Sequence, residues 1–227
     1  MIKRLFVLAV LVAIVFMFLP LLKVAPTTEL NPISKGYVAG SADSLGCANV
    51  VTAIVVTYRG LDTLGEVAVL FIATAGVAFL LRKKKEKVKK RKSSEILETG
   101  NAFLFPLILL FGVYIFIHGH LTPGGGFQGG VVIASGVLML MLSNVSLKLN
   151  KTILHFVESL SGAFYVIIGV LGLVLLGANH FLDNRFIPLG TFGELFSAGA
   201  IPIIYSLIGL KVGTELVGIL NNMKRGE

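Results

Sequence analysis

The chain has a single cysteine, Cys47, and charged residues fill only 14% of its 227 positions. One cysteine excludes an internal disulfide and any metal cage built from cysteine alone. There is no CxxC pair, no GKS or GKT ending of a phosphate loop, and no pair of haem-ligating residues in facing hydrophobic runs. The sequence therefore offers no catalytic centre, no cofactor site and no metal site of its own. An ordinary soluble domain carries about 25% charged residues. The shortfall here, with 55% hydrophobic residues and a mean hydropathy of +0.89, excludes that class. What remains is an all-α, polytopic protein of the cell membrane, long enough for about six transmembrane helices of about 20 residues each.

Acidic residues are also scarce: 12 against 20 basic ones, a net charge of +8. Much of the excess sits in RKKKEKVKKRK, Arg82 to Lys92, directly after a hydrophobic run. Charge concentrated there reads as a cytoplasmic retention signal that also attracts anionic membrane lipids, and not as a nucleic-acid surface. Six spans are expected, at about Leu5–Leu22, Gly65–Leu81, Phe103–His118, Gly129–Ser146, His155–Gly177 and Phe196–Leu220. The first resembles a secretory signal but is too apolar for too long, and reads as a retained helix. One side then holds Lys3, Arg4, the basic block, Lys148, Lys151, Lys224 and Arg225. The other holds Lys23, Lys35, Arg59 and Arg185. Both termini are therefore expected in the cytoplasm. The chain divides into a two-helix segment (1–82), a basic linker (83–94) with Ser93, Ser94 and Glu95 as a helix start, and a four-helix domain (95–227). The stretch Val24–Ser44 reads as a loop.

Ionisable groups inside a membrane cost roughly 2.5–3.5 kcal/mol each on insertion scales, so each one needs a reason. In NVVTAIVVTYRGLDTLGE, a regular helix would bring Asn49, Thr52, Arg59, Asp62, Thr63 and Glu66 within roughly 140° of one another. Glu66 is either an interfacial carboxylate near Arg59 or part of an ion path. In the fifth span His155, Glu158, Ser159, Gly162, Tyr165, Gly169 and Gly172 share a face. In the sixth, Lys211 and Glu215 stand four residues apart, and an antiparallel fifth span would put Glu158 at similar depth. Lys211 is either one member of an internal Lys211–Glu215–Glu158 set, as in a proton relay, or a side chain that snorkels to the headgroups.

The run HGHLTPGGGFQGG, from His118 to Gly130, lacks the ending of a phosphate loop. His118 and His120, two residues apart with no nearby cysteine or carboxylate, make a weak metal site. Pro123 and the glycines favour a tight turn between helices, with the histidines positioned by packing or by a partner.

The residues of this run carry a resemblance. Gly119, His120, Pro123, Gly124, Gly125, Gly126, Phe127, Gly129 and Gly130 resemble the signature of the MnhB-like subunit of Mrp-type multisubunit cation/proton antiporters, and 95–227 fits that subunit in length. The stretch Asn49–Glu66 resembles a segment near the C-terminal end of the large antiporter subunit, with a pattern close to NVV…ILVDFRGxDTxGE. Arg59, Asp62 and Glu66 match it. Thr57–Tyr58 stands where Asp–Phe is usual, so no role of that aspartate carries over. Both motifs on one chain point to the membrane-bound hydrogenases and related ferredoxin-linked respiratory complexes. The resemblance implies an accessory subunit with no cofactor, lining a lateral path for Na+ and H+ among other membrane subunits. A scaffold that only holds larger pumping subunits in register is the alternative.

Overall fold

The computed structural model describes residues 2–20, 29–80, 93–144, 147, 149–177 and 181–226, and all regular structure among them is helical. Lys23, the whole basic block from Arg82 to Lys92, and Lys148 lie outside the described residues, as do the expected span ends Leu22, Leu81 and Ser146. Five helices are long and apolar enough to cross a membrane: Gly60–Leu80, Glu95–Ile117, Gly126–Ser143, Lys151–Leu176 and Ile201–Lys224. The protein is a multi-pass membrane protein. The expected first span is α1 (Ile2–Phe18), a shorter helix apolar on all sides.

Met1–Gly36 and Tyr37–Glu227 are separate compact units. The first contains α1 and the start of α2 (Pro32–Asp43). The loop expected over Val24–Ser44 is therefore helical from Pro32 onward. Asn31 accepts the backbone N–H of Ser34 at 2.7 Å and Pro32 fills the first helical position, a start signal that outweighs Gly36 and Gly40.

After the remainder of α2, the second unit continues with a bent helix. Asn49 caps α3 (Val50–Ala53) by accepting from the N–H groups of Val51 and Thr52. A π-helical turn, Ile54–Tyr58, follows, then Arg59 at φ −123°, then α4 (Gly60–Leu80). Inserted π turns are uncommon and shift the phase of everything after them. The single polar face expected from Asn49 to Glu66 is accordingly split. Thr52 and Thr63 are buried, while Arg59, Asp62 and Glu66 are exposed. Thr63 donates to the carbonyl of Val55 in the π turn.

Ser94 caps α5 (Glu95–Ile117), with Glu95 and Glu98 in its first turn, where the helix dipole favours acids. After the glycine turn come α6 (Gly126–Ser143) and then α7 (Lys151–Leu176), which Asn150 caps. Residues 181–200 fold back over the end of the bundle. There the Asn184 side chain donates to the carbonyls of Leu45 (2.9 Å) and Ala198 (2.8 Å). The last helix, α8 (Ile201–Gly226), starts five residues later than expected. Ala198 (φ 61°) and Gly199 (φ 57°) are in the left-handed region and cannot continue a helix. The other starts come earlier than expected, because hydropathy marks the apolar middle of a helix and not its cap.

The hub is α8, which packs on α4, α5, α6 and α7. It runs antiparallel to α7, where Lys151 Nζ at the start of one meets Asn222 Oδ1 at the end of the other. It runs parallel to α6, where Gly126 meets Ile208 and Gly130 meets Val212. A side chain at Gly130 would lie 2.8 Å from the carbonyl of Gly209 and 3.0 Å from the nitrogen of Gly213. The two backbones touch, which is how small residues join helices in a membrane.

Candidate functional site

Two groupings of polar residues emerge from this scaffold. The first is the glycine turn. Only residues 118–125 turn; Gly126, Phe127, Gly129 and Gly130 belong to the first turns of α6 and pack against neighbouring helices. The turn exposes carbonyls, and the residues that precede and open α3 take them up. Asn49 Nδ2 donates to the carbonyls of Gly119 (2.9 Å) and Thr122 (3.0 Å), and the Asn49 backbone N–H donates to that of His120 (3.0 Å). Thr52 donates to Gly119 O at 2.6 Å and accepts from the Tyr205 hydroxyl of α8 at 3.1 Å. Tyr205 lies against the turn so closely that a Cβ on Gly119 would sit 2.5 Å from its ring.

His118 stacks on Tyr114 at 4.1 Å between ring centres, while His120 is fully buried with Nε2 3.3 Å from the carbonyl of Glu194. Loss of water around His120 pulls its pKa below the usual histidine value. Burial pushes the Cys47 thiol up to about 11, its Sγ lying 3.2 Å from Asn49 O and 3.4 Å from His120 O.

The second grouping is a row of ionisable side chains between α4, α7 and α8. Lys211 Nζ and Glu215 Oε1 are 2.7 Å apart, with side chains 12% and 0% exposed. The ammonium also lies 5.3 Å from the centre of the Phe71 ring on α4, a cation–π distance. The stem of Lys211 lies flat across Gly162 of α7, where a Cβ would stand 3.4–3.5 Å from its last atoms. Three helices thus enclose one lysine. Glu158 is within electrostatic reach of Glu215, and His155 Nδ1 stands 3.4 Å from its carboxylate at a far more exposed position. Glu66 is within electrostatic reach of the buried Tyr165, whose hydroxyl is 3.5 Å from the carbonyl of Gly60. Tyr165 stands ten residues beyond His155 on α7, roughly 15 Å along the axis. Arg59 and Asp62 pair with each other on the surface and do not join the row. Ser159, expected on this face, is exposed; Ser161, two residues on, is buried there instead.

Residues 96–218 match the family described as a domain related to the MnhB subunit of Na+/H+ antiporters. The chain belongs to that family. Residues 2–94 of this MnhB-like protein match a second family, MbhE, the E subunit of MBH. The B subunit of the Na+/H+ antiporter of Bacillus subtilis is 34% identical over 107 residues, 46% of this chain and 70% of that one. A chain of the membrane-bound sulfane sulfur reductase, an archaeal respiratory membrane complex, is 47% identical, covering 98% of each chain at a TM-score of 0.83. A chain of the Mrp complex from Dietzia sp. DQ12-45-1b shares the fold, with a TM-score of 0.75 and 24% identity over 97% of this chain and 26% of that one. The resemblance to MnhB, and its fusion to a second module, are borne out.

Against these matches the hydrogen bonds of the glycine turn gain a meaning. Asn49 and Thr52 lie in the region related to MbhE, and Gly119 and Thr122 in the MnhB-related domain. The sequence marked the turn and overlooked its partners. Asn49 was expected on a polar helix face, and nothing local says that its amide caps α3 with one end and reaches a turn 70 residues away with the other.

Proposed function

We propose that this MnhB-like chain is an accessory membrane subunit of a cation/proton exchange module in a respiratory complex, and that the row on α4, α7 and α8 is part of its lateral ion path. The single observation that carries this reading is the Lys211–Glu215 pair held between three helices. A buried ion pair rarely stabilises a fold more than well-packed apolar groups would. Its retention inside a membrane, with Glu158 and His155 continuing the line to a more exposed position, is the arrangement of a relay. Glu66 extends the row at the other end. As an exposed carboxylate on a membrane span, it needs a neighbouring membrane protein or water beside it, which supports a path that continues into a partner. In this reading Na+ and H+ are the ions and the redox chemistry belongs to other subunits; the distribution of basic residues along the sequence supports both termini in the cytoplasm.

The test is Lys211→Ala in the assembled complex, with Na+-dependent proton movement followed in membrane vesicles. A less stable complex that still assembles, with coupled transport per assembled complex reduced by at least about tenfold, the equivalent of about 1.4 kcal/mol, is the expected result. Normal assembly with unchanged transport overturns the path and leaves a scaffold.

A further inference from the structure

The end of the bundle where α5 begins and α6 finishes contains a cavity of about 350 Å³ that the Lys211 row does not use. It is lined by Glu98, Asn101, Ala102, Leu140, Ser143 and Asn144. Asn101 is 2% exposed. Its Nδ2 donates to Ser143 Oγ at 2.8 Å, and that hydroxyl donates onward to the carbonyl of Leu140 at 3.2 Å. This order of donors fixes which end of the amide is oxygen. Asn101 Oδ1 is buried and has no donor among the described residues. A buried amide oxygen in that condition is costly, and a donor or a positive charge taken up in the adjoining cavity would satisfy it.

The surrounding chemistry narrows the choice. Glu98 contributes a carboxylate, steadied by Ser93 Oγ at 2.6 Å; the same hydroxyl is also within reach of the Ser143 carbonyl. Among the described residues, no basic side chain lines the cavity. The carbonyl end of α6 already draws one cation: Lys224 Nζ stands 3.3 Å from the carbonyls of both Asn144 and Leu147. One carboxylate with an amide oxygen, and no nitrogen or sulfur donor, is a ligand set for a hard cation of low charge. Since a water occupies about 30 Å³, the space also holds part of a hydration shell.

We propose that this cavity binds a small monovalent cation, partly hydrated, with Asn101 Oδ1 and the Glu98 carboxylate as its protein ligands. The site stands apart from the Lys211–Glu215 row and does not depend on that row conducting.

The test is equilibrium binding of radioactive Na+ to the purified complex in a choline background. Asn101→Leu is expected to remove one bound Na+ per complex, and Glu98→Gln to weaken that site by about tenfold. Asn101→Asp keeps the size of the side chain, adds charge and is expected to tighten binding; with Glu98→Gln it decides the matter if Asn101→Leu fails to assemble. Equal number and affinity in all variants would mean that the cavity holds only water, and would overturn the assignment. Lys211→Ala is expected to leave this binding unchanged. If it removes the same ion as Asn101→Leu, the ion belongs to the row and the proposal fails, whatever that variant does to transport.

Discussion

The amide of Asn49 has both ends engaged: its oxygen caps α3 and its nitrogen bridges the carbonyls of Gly119 and Thr122. One side chain therefore starts a helix in the first family region and closes a turn in the second. Asn49→Ala should lower the stability of the chain by about 2–3 kcal/mol, adding a lost cap to two lost bonds to the turn, although Gly119 O keeps its bond from Thr52. Thermal melting of the complex checks this. Asn49→Asp keeps the cap but places a carboxylate against those carbonyls, and should be no better than alanine. A melting point close to wild type in both would remove the idea that Asn49 joins the two regions.

Tyr205→Phe offers a milder probe of the same junction. It keeps the ring against Gly119 and removes only the hydroxyl's bond to Thr52. The expected loss is about 1 kcal/mol, read as a small fall in melting temperature with transport intact.

Lys211 and Glu215 should behave as a unit. Either side chain alone, replaced by an apolar one, strands its partner's charge at a cost of about 3–5 kcal/mol. Lys211→Met with Glu215→Leu removes both charges and should recover most of that loss, while transport stays low. A double-mutant cycle on complex stability measures the coupling. Strictly additive losses would show that the two side chains do not depend on each other.

The His120 ring predicts a pH dependence. Its folded pKa lies below the ordinary value of 6.5, because burial disfavours the charged form. The unfolded chain therefore takes up the proton first. The stability that His120 contributes is complete above about pH 6.5 and is lost as pH falls through its lower folded value. Melting curves from pH 7.5 down to 5 should decline, and His120→Gln should flatten the acid side of that profile.

Cys47 should resist maleimide in native membranes. The thiolate is the reacting form, and a buried thiol pushed up to about 11 supplies almost none at neutral pH. Rapid labelling after denaturation, but not before, is the expected pattern. Fast labelling of the native complex would mean that the contact between Cys47 and His120 opens.

What was legible in the sequence was local in character. The shortage of charge gave the membrane class, and the four-residue spacing gave the Lys211–Glu215 pair, because both are properties of a short stretch. The helix at Pro32 was also written locally, in Asn31–Pro32, but the glycines after it argued the other way. What could not be read depends on partners distant in the chain. Tyr205 meets Thr52 from 153 positions away, and Asn101 meets Ser143 from 42. The choice of Ser161 over Ser159 is a matter of helix rotation, which the other helices settle. Phe71 beside Lys211 left no trace in the sequence, since one phenylalanine among sixteen carries no mark of a nearby ammonium.

The π turn at Ile54–Tyr58 acts as a one-notch clutch between two surfaces. It holds one more residue than an α-helical turn would, so the chain on either side is out of step by roughly 100°. Deleting one residue between Ile54 and Tyr58 would re-engage a continuous helix. If Asn49 stayed fixed at the glycine turn, the whole of α4 would swing about its axis. Glu66 and Phe71 would then address different neighbours, with no change in their own identity. The orientation of an entire helix is thus stored in the count of five residues, where insertions and deletions can act on it but ordinary substitutions cannot.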